Sequence, residues 1–161
     1  MSEAPNNVRI RILIIEDDPV REARLRSWIP LDITAVVASS AGGAIVILKR
    51  DKGAVYTGIV LDHDLGKRPA TDTDLRLCGK DVVNAIIAGV SKTVPVLIHS
   101  VNESQAPIMQ SMLQRAGFDV ERIPMNVLTK ASFNEWLSYA RECNADATAL
   151  NRLQSHGSRS S

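Results

Sequence analysis

The stretch "RILIIEDDPVREARLRSWI" (Arg11 to Ile29) joins two patterns that belong to different elements. Its first part ends a β-branched run that opens at Val8 and breaks into acid at Glu16, Asp17 and Asp18. From Pro19 the spacing turns helical, and Val20, Ala23, Leu25 and Trp28 can share one face. Asp18 before Pro19 reads as an N-cap followed by proline at the first helical position. The acids therefore lie where a strand hands over to a helix.

Working outward, the same unit recurs. A short strand at Ile33 to Ser39 is followed by a helix, capped by Ser39 or Ser40 and weakened by Gly42 and Gly43. A third strand covers Tyr56 to Asp62. A polar, turn-rich loop from Gly66 to Leu77 leads to a helix at Gly79 to Val90, a strand at Val94 to Ser100, and a helix ending near Gly117. A fifth strand falls at Asp119 to Ile123, or includes the Val127–Leu128 pair. Ser132 with Glu135 three residues on is a capping-box pattern, opening a last helix over Phe133 to Glu142. Five strands that are continuous apolar runs, each followed by a helix, predict a parallel sheet covered on both faces. The expected fold is a three-layer, doubly wound, five-stranded α/β domain of flavodoxin-like type, with strand order 2-1-3-4-5.

With 161 residues the chain is expected to form one domain over 8–143, after a flexible N-terminus (1–7) and before a polar tail (144–161) that is disordered or loosely attached. A formal net charge of +1 gives no general attraction to nucleic acid or membrane, and 4% aromatic residues argue against a base-stacking platform. No apolar run approaches a membrane span. Cys78 and Cys143 lack metal-like spacing. With no signal peptide they read as reduced thiols in a cytoplasmic protein.

Ligands of such folds collect beyond the carboxyl ends of the strands. Those ends hold the unusual polar residues: Glu16, Asp17 and Asp18; Asp62, His63 and Asp64; His99, Ser100 and Asn102. Neighbouring strands one and three would bring Asp17 close to Asp62. Two carboxylates ~4 Å apart repel by about 4 kcal/mol at an effective dielectric of 20, so a cluster needs a cation or a shared proton. Mg²⁺ suits an all-oxygen site that also takes phosphate. Asp62 and Asp64 would point the same way on a strand and so approach one ion. His63 or His99 can act as general acid or base, or be a hydrogen-bonded layer residue facing away from Asp62 and Ser100. Plainer roles also exist elsewhere: Asp18 as a helix cap, Ser100 and Asn102 as turn residues, Lys130 as an exposed lysine before a helix.

The segments "RILIIEDDPVREARLRSWI", "GIVLDHDL" and "PVLIHS" resemble receiver domains of two-component response regulators, over roughly Val8 to Glu142. By position, that resemblance implies Glu16 and Asp17 as the acidic pair holding Mg²⁺, Asp62 as phosphoacceptor, Ser100 as the strand-four hydroxyl and Lys130 as the lysine after strand five. Its usual partner would be a histidine kinase. The chain departs from this pattern with His63, Asp64, Leu65 and Gly66 after the acceptor, a longer loop to the third helix, and no proline after Lys130. "LDHDLG" (Leu61 to Gly66) with "IHSVNESQAPIM" (Ile98 to Met109) is similar to a more specific branch, the cyclic-phosphate processing receiver domains. That resemblance implies an enzyme acting on a cyclic nucleotide or an RNA-end cyclic phosphate, with Mg²⁺ or Mn²⁺. Glu16, Asp17, Asp62 and Asp64 would be ligands. Asp62, His63, His99, Ser100 and Lys130 would be catalytic, and Ser100 and Asn102 would bind phosphate. No DNA-binding segment is evident after Glu142, so a signalling version would act through a partner surface.

Overall fold

Apolar runs without polar alternation can be buried on both faces only between two layers of helices, and the chain folds that way. The computed structural model describes residues 9–65 and 78–157. The elements are β1 (Ile10–Ile15), α1 (Pro19–Trp28), β2 (Ile33–Ala38), α2 (Ala41–Arg50), β3 (Gly58–Leu61), α3 (Gly79–Gly89), β4 (Val96–Ile98), α4 (Ala106–Arg115), β5 (Val120–Arg122) and α5 (Lys130–Gly157). All pairings are parallel and the sheet order is β2-β1-β3-β4-β5. The expected fold class is thus found. The expected N-terminal segment (1–7), the loop at 66–77 and the last four residues lie outside the described residues.

Side-chain alternation divides the core in two. Leu13, Ile15, Ile59, Leu61, Val96 and Ile98 pack on α2, α3 and α4. Ile12, Ile14, Val60 and Leu97 pack with Leu25 of α1 and with Phe133, Trp136 and Leu137 of α5. Gly58 permits the second contact: a Cβ there would lie 2.7 Å from Trp136 Cη2.

Three local expectations shift. On α1, Val20 is 68% exposed and Ala23 is exposed, while Leu25 is buried and Trp28 half-buried. The inward stripe runs Arg21, Leu25, Trp28, at the i, i+4, i+7 spacing of one helix face. The fifth strand is Val120–Arg122, paired with β4, and Val127–Leu128 forms a turn after it, with both amides bonded to the Pro124 carbonyl. The last helix starts three residues before the expected Phe133. Thr129 and Ser132 cap it reciprocally, each backbone N–H donating to the other's hydroxyl at 3.1 Å. It then runs to Gly157, through residues expected to be a disordered tail. Ala145, Ala147, Ala149, Leu150, Arg152, Leu153 and Gln154 are strong helix formers, and propagation from a docked helix needs no new nucleus. Among the described residues, no helix is long and apolar enough to cross a membrane.

Candidate metal centre

Parallel register puts the polar residues in one row. Ile15 pairs with Leu61 and Leu61 with Ile98, so Glu16, Asp62 and His99 are the next residues on three adjacent strands. The ladder continues under them: Glu16 N–H donates to Ala38 O, Asp62 N–H to Ile15 O, and His99 N–H to Leu61 O. Backbone pairing, and not side-chain attraction, therefore forces two carboxylates together. Glu16, Asp17 and Asp62 are all buried, and ligand oxygens from the three lie within 4.8 Å of one another.

This much negative charge is answered in the structure by Arg21, a residue that motif reasoning missed. Its Nη2 stands 3.0 Å from Glu16 Oε1, 2.9 Å from Asp62 Oδ2 and 3.8 Å from Asp17 Oδ1. The signal was present in the sequence: extending the Leu25–Trp28 stripe backwards by one turn lands on Arg21. Asp18 takes the capping role expected for it, its Oδ1 accepting from Val20 N–H and Arg21 N–H.

Burial and the neighbouring Asp62 charge push Glu16 up to about 8. Burial likewise raises Asp62, although Arg21 pulls it down. Arg21 is raised: burial disfavours its charge, but the carboxylates of Asp62 and Glu16 outweigh that. His99 is fully buried, and burial with the Arg21 charge lowers it to about 3, so it is a neutral imidazole. Neither of its ring nitrogens has a hydrogen-bond partner among the described residues, nor does Glu16 Oε2, which lies 3.6 Å from His99 Nδ1. That separation is too long for a hydrogen bond, and with neutral His99 it is no ion pair. An unsatisfied carboxylate oxygen beside two further acids is a donor set suited to a hard cation.

Asp64 does not join this set. β3 ends at Leu61, and residues 62–65 turn, closed by Leu65 N–H donating to His63 O, so strand alternation no longer applies. The strand alternation from which a shared ion was expected for Asp62 and Asp64 therefore ends before both residues. Asp64 Oδ1 instead lies 3.0 Å from His63 Nδ1 and accepts from Asn102 Nδ2 at 3.4 Å. A carboxylate at Nδ1 selects the tautomer with the proton there and leaves Nε2 as the free lone pair. Gly79, at the start of α3, permits this packing, since a Cβ would lie about 3.1 Å from His63 Cα and O.

Ser100 is buried after β4, and its Oγ accepts from Asn102 N–H. Asn102 Oδ1 in turn accepts from the N–H groups of Ser104 and Gln105, which shapes the entry to α4. Lys130 is exposed at the first position of α5. Among the described residues no ion pair links it to the acids.

A family model described as cyclic-phosphate processing receiver domain matches residues 11–115, two strand-end acid groups and the His99–Ser100 element included. The chain belongs to that family. The receiver domain's fold is shared with solved structures of low identity. One, described as the adenylate cyclase from Rhodopirellula baltica, has 16% identity and a TM-score of 0.64, covering 90% of this chain and 96% of that one. A CheY-like response regulator receiver domain protein from Methanospirillum hungatei JF-1 has 14% identity and a TM-score of 0.62, covering 85% and 98%. The response regulator domain of Thermotoga maritima CheB has 19% identity and a TM-score of 0.57, covering 83% and 95%. At these identities the likeness concerns the fold. No match was found among curated proteins.

Proposed function

We propose that this receiver-like domain is a cytoplasmic, Mg²⁺- or Mn²⁺-dependent phosphoesterase that opens a cyclic phosphate on a nucleotide or an RNA end. The convergence of Glu16, Asp17 and Asp62 within 4.8 Å carries this reading. These residues would hold the ion, which when bound supplies charge stabilisation at the phosphoryl group. Ser100 and Asn102, at the end of β4, donate to phosphoryl oxygens. His63, held through Nδ1 by Asp64, presents Nε2 to take a proton from the attacking water. The water oxygen bonds to phosphorus, one ring P–O bond breaks, and the proton goes to the leaving oxygen. Lys130 begins α5 at the same rim and would act as a point charge. His99, neutral and buried with its Nδ1 3.6 Å from Glu16 Oε2, takes no part in proton transfer.

The test is purified protein with Mn²⁺ or Mg²⁺ on 2′,3′- and 3′,5′-cyclic nucleotides and on RNA with a cyclic end. Hydrolysis that is lost on chelation and in Asp62→Asn supports the reading, and untouched substrates refute it. A second reading is favoured by the likeness to response-regulator receivers: Asp62 as a phosphoacceptor served by a histidine kinase. It requires a mass gain with acetyl phosphate, or a beryllofluoride complex, that disappears in Asp62→Ala. A simple phosphorylation switch does not need the His63–Asp64 pair.

A further inference from the structure

Arg21 and the proposed ion compete for one place. Arg21 Nη2 already stands among the three carboxylates, at 2.9 Å, 3.0 Å and 3.8 Å. Mg²⁺ draws its oxygens in to about 2.0–2.1 Å, which leaves no room for a guanidinium nitrogen within the same cluster. Two cations at such range also repel. Arg21 must therefore move whenever a cation enters.

The side chain is built to move. Its hydrogen bonds run to Glu16 and Asp62, and Nε has no partner among the described residues. Among the described residues, the acids are what hold it inward. The side chain is 16% exposed and rooted in the first turn of α1, at the rim where the strands end. Rotation about its outer torsions would carry the guanidinium towards the solvent side of that rim.

Charge balance gives the displaced position a purpose. Three ionised carboxylates and one guanidinium leave two negative charges, which one dication cancels. The loaded site with Arg21 at its rim is then neutral and accepts an anion. Without Arg21 the loaded site keeps one negative charge and repels a phosphodiester. A guanidinium also matches a pair of phosphate oxygens in geometry.

We propose that Arg21 works in two positions: it fills the acid cluster when no ion is bound, and once displaced outward it receives the phosphate oxygens of the substrate. This rests on the reading of the cluster as a metal site. It predicts opposite effects on two ligands, which a purely structural salt bridge would not produce.

The experiment titrates Mn²⁺, followed by electron paramagnetic resonance, into wild type, Arg21→Met and Arg21→Lys. It then titrates inorganic phosphate at saturating Mn²⁺. Arg21→Met is expected to bind Mn²⁺ at least about ten-fold more tightly and phosphate at least about ten-fold more weakly. Arg21→Lys should shift both in the same directions by less, and it carries the test if Arg21→Met does not fold. Unchanged or weaker Mn²⁺ binding in the folded variants overturns the inference, as does undiminished phosphate binding. Failure of the metal-site reading looks different: neither wild type nor variant takes up Mn²⁺ at millimolar concentration, and both readings then fall. Uptake by Arg21→Met alone supports the inference.

Discussion

Asp62 and Arg21, forty-one residues apart in the chain, meet at 2.9 Å where β3 ends against α1. Strand register sets the position of the first and helical periodicity the position of the second. The fully buried carboxylate also accepts the His63 N–H at 2.8 Å. It thus joins the acid cluster to the turn that carries the imidazole.

Asp62→Asn keeps the size of the side chain and the acceptor for His63 N–H, and removes a charge that repels Glu16. The thermal stability of the metal-free protein is expected to change by less than about 1 kcal/mol. Mn²⁺ affinity should fall at least about ten-fold. Melting curves with and without Mn²⁺ check both. An unchanged Mn²⁺ increment would remove Asp62 from the ligand set.

The pH dependence follows from Glu16. Its folded-state value, about 8, lies above the ordinary 4.5, so the folded chain holds the proton more tightly than the unfolded chain. Its contribution is fully present below the unfolded value and is lost as pH rises through the folded one. Asp62, also raised, acts in the same direction. The melting temperature of the metal-free protein should therefore drop between about pH 5 and about pH 8. The increment from Mn²⁺, which needs the carboxylates ionised, should grow over the same range.

Asp64→Asn separates an orienting role from a ligand role. Losing the carboxylate at His63 Nδ1 should reduce hydrolysis about 10–100-fold with Mn²⁺ affinity intact. Calorimetric titration beside a rate assay decides it. A matching loss of Mn²⁺ affinity would make Asp64 a ligand after all.

Gly58→Ala sets a methyl group 2.7 Å from the rigid tip of Trp136. Neither the sheet nor the indole can yield locally, so α5 must shift, at a cost of about 1–3 kcal/mol. Chemical denaturation, with tryptophan fluorescence reporting the ring's surroundings, measures it.

Removing residues from Asn144 onward should leave the unfolding free energy within about 1 kcal/mol of the full chain. The buried positions of α5 are Phe133, Trp136, Leu137 and Ala140, while Leu150 and Leu153 are 59% and 72% exposed. A larger loss would mean that the distal helix packs on something.

The fold was legible because its two signals, unbroken apolar runs and acids at their ends, are local in sequence and forced by a two-sided parallel sheet. The cluster of Glu16, Asp17 and Asp62 followed from strand order alone. Three features did not. The contacts of Asp64 with His63 and Asn102 went unforeseen because period-two reasoning was carried past Leu61, where pairing stops. Arg21 was overlooked because a basic residue on a helix reads as a solvated face unless the apolar stripe is traced from Leu25 and Trp28. The helical continuation to Gly157 was hidden by a composition that buries little. Intrinsic propensity there decided the structure, and burial pattern did not.

The row of Glu16, Asp62 and His99 exists only because Ile15, Leu61 and Ile98 are paired across three strands. Slipping any one of these strands by a single residue would turn its acid or imidazole to the other side of the sheet. A collapsed chain with native-like secondary structure but loose strand alignment would lack the constellation. If the cluster takes up a cation as proposed, that uptake would be an assay of correct assembly, sensitive to the last step of folding and blind to those before it.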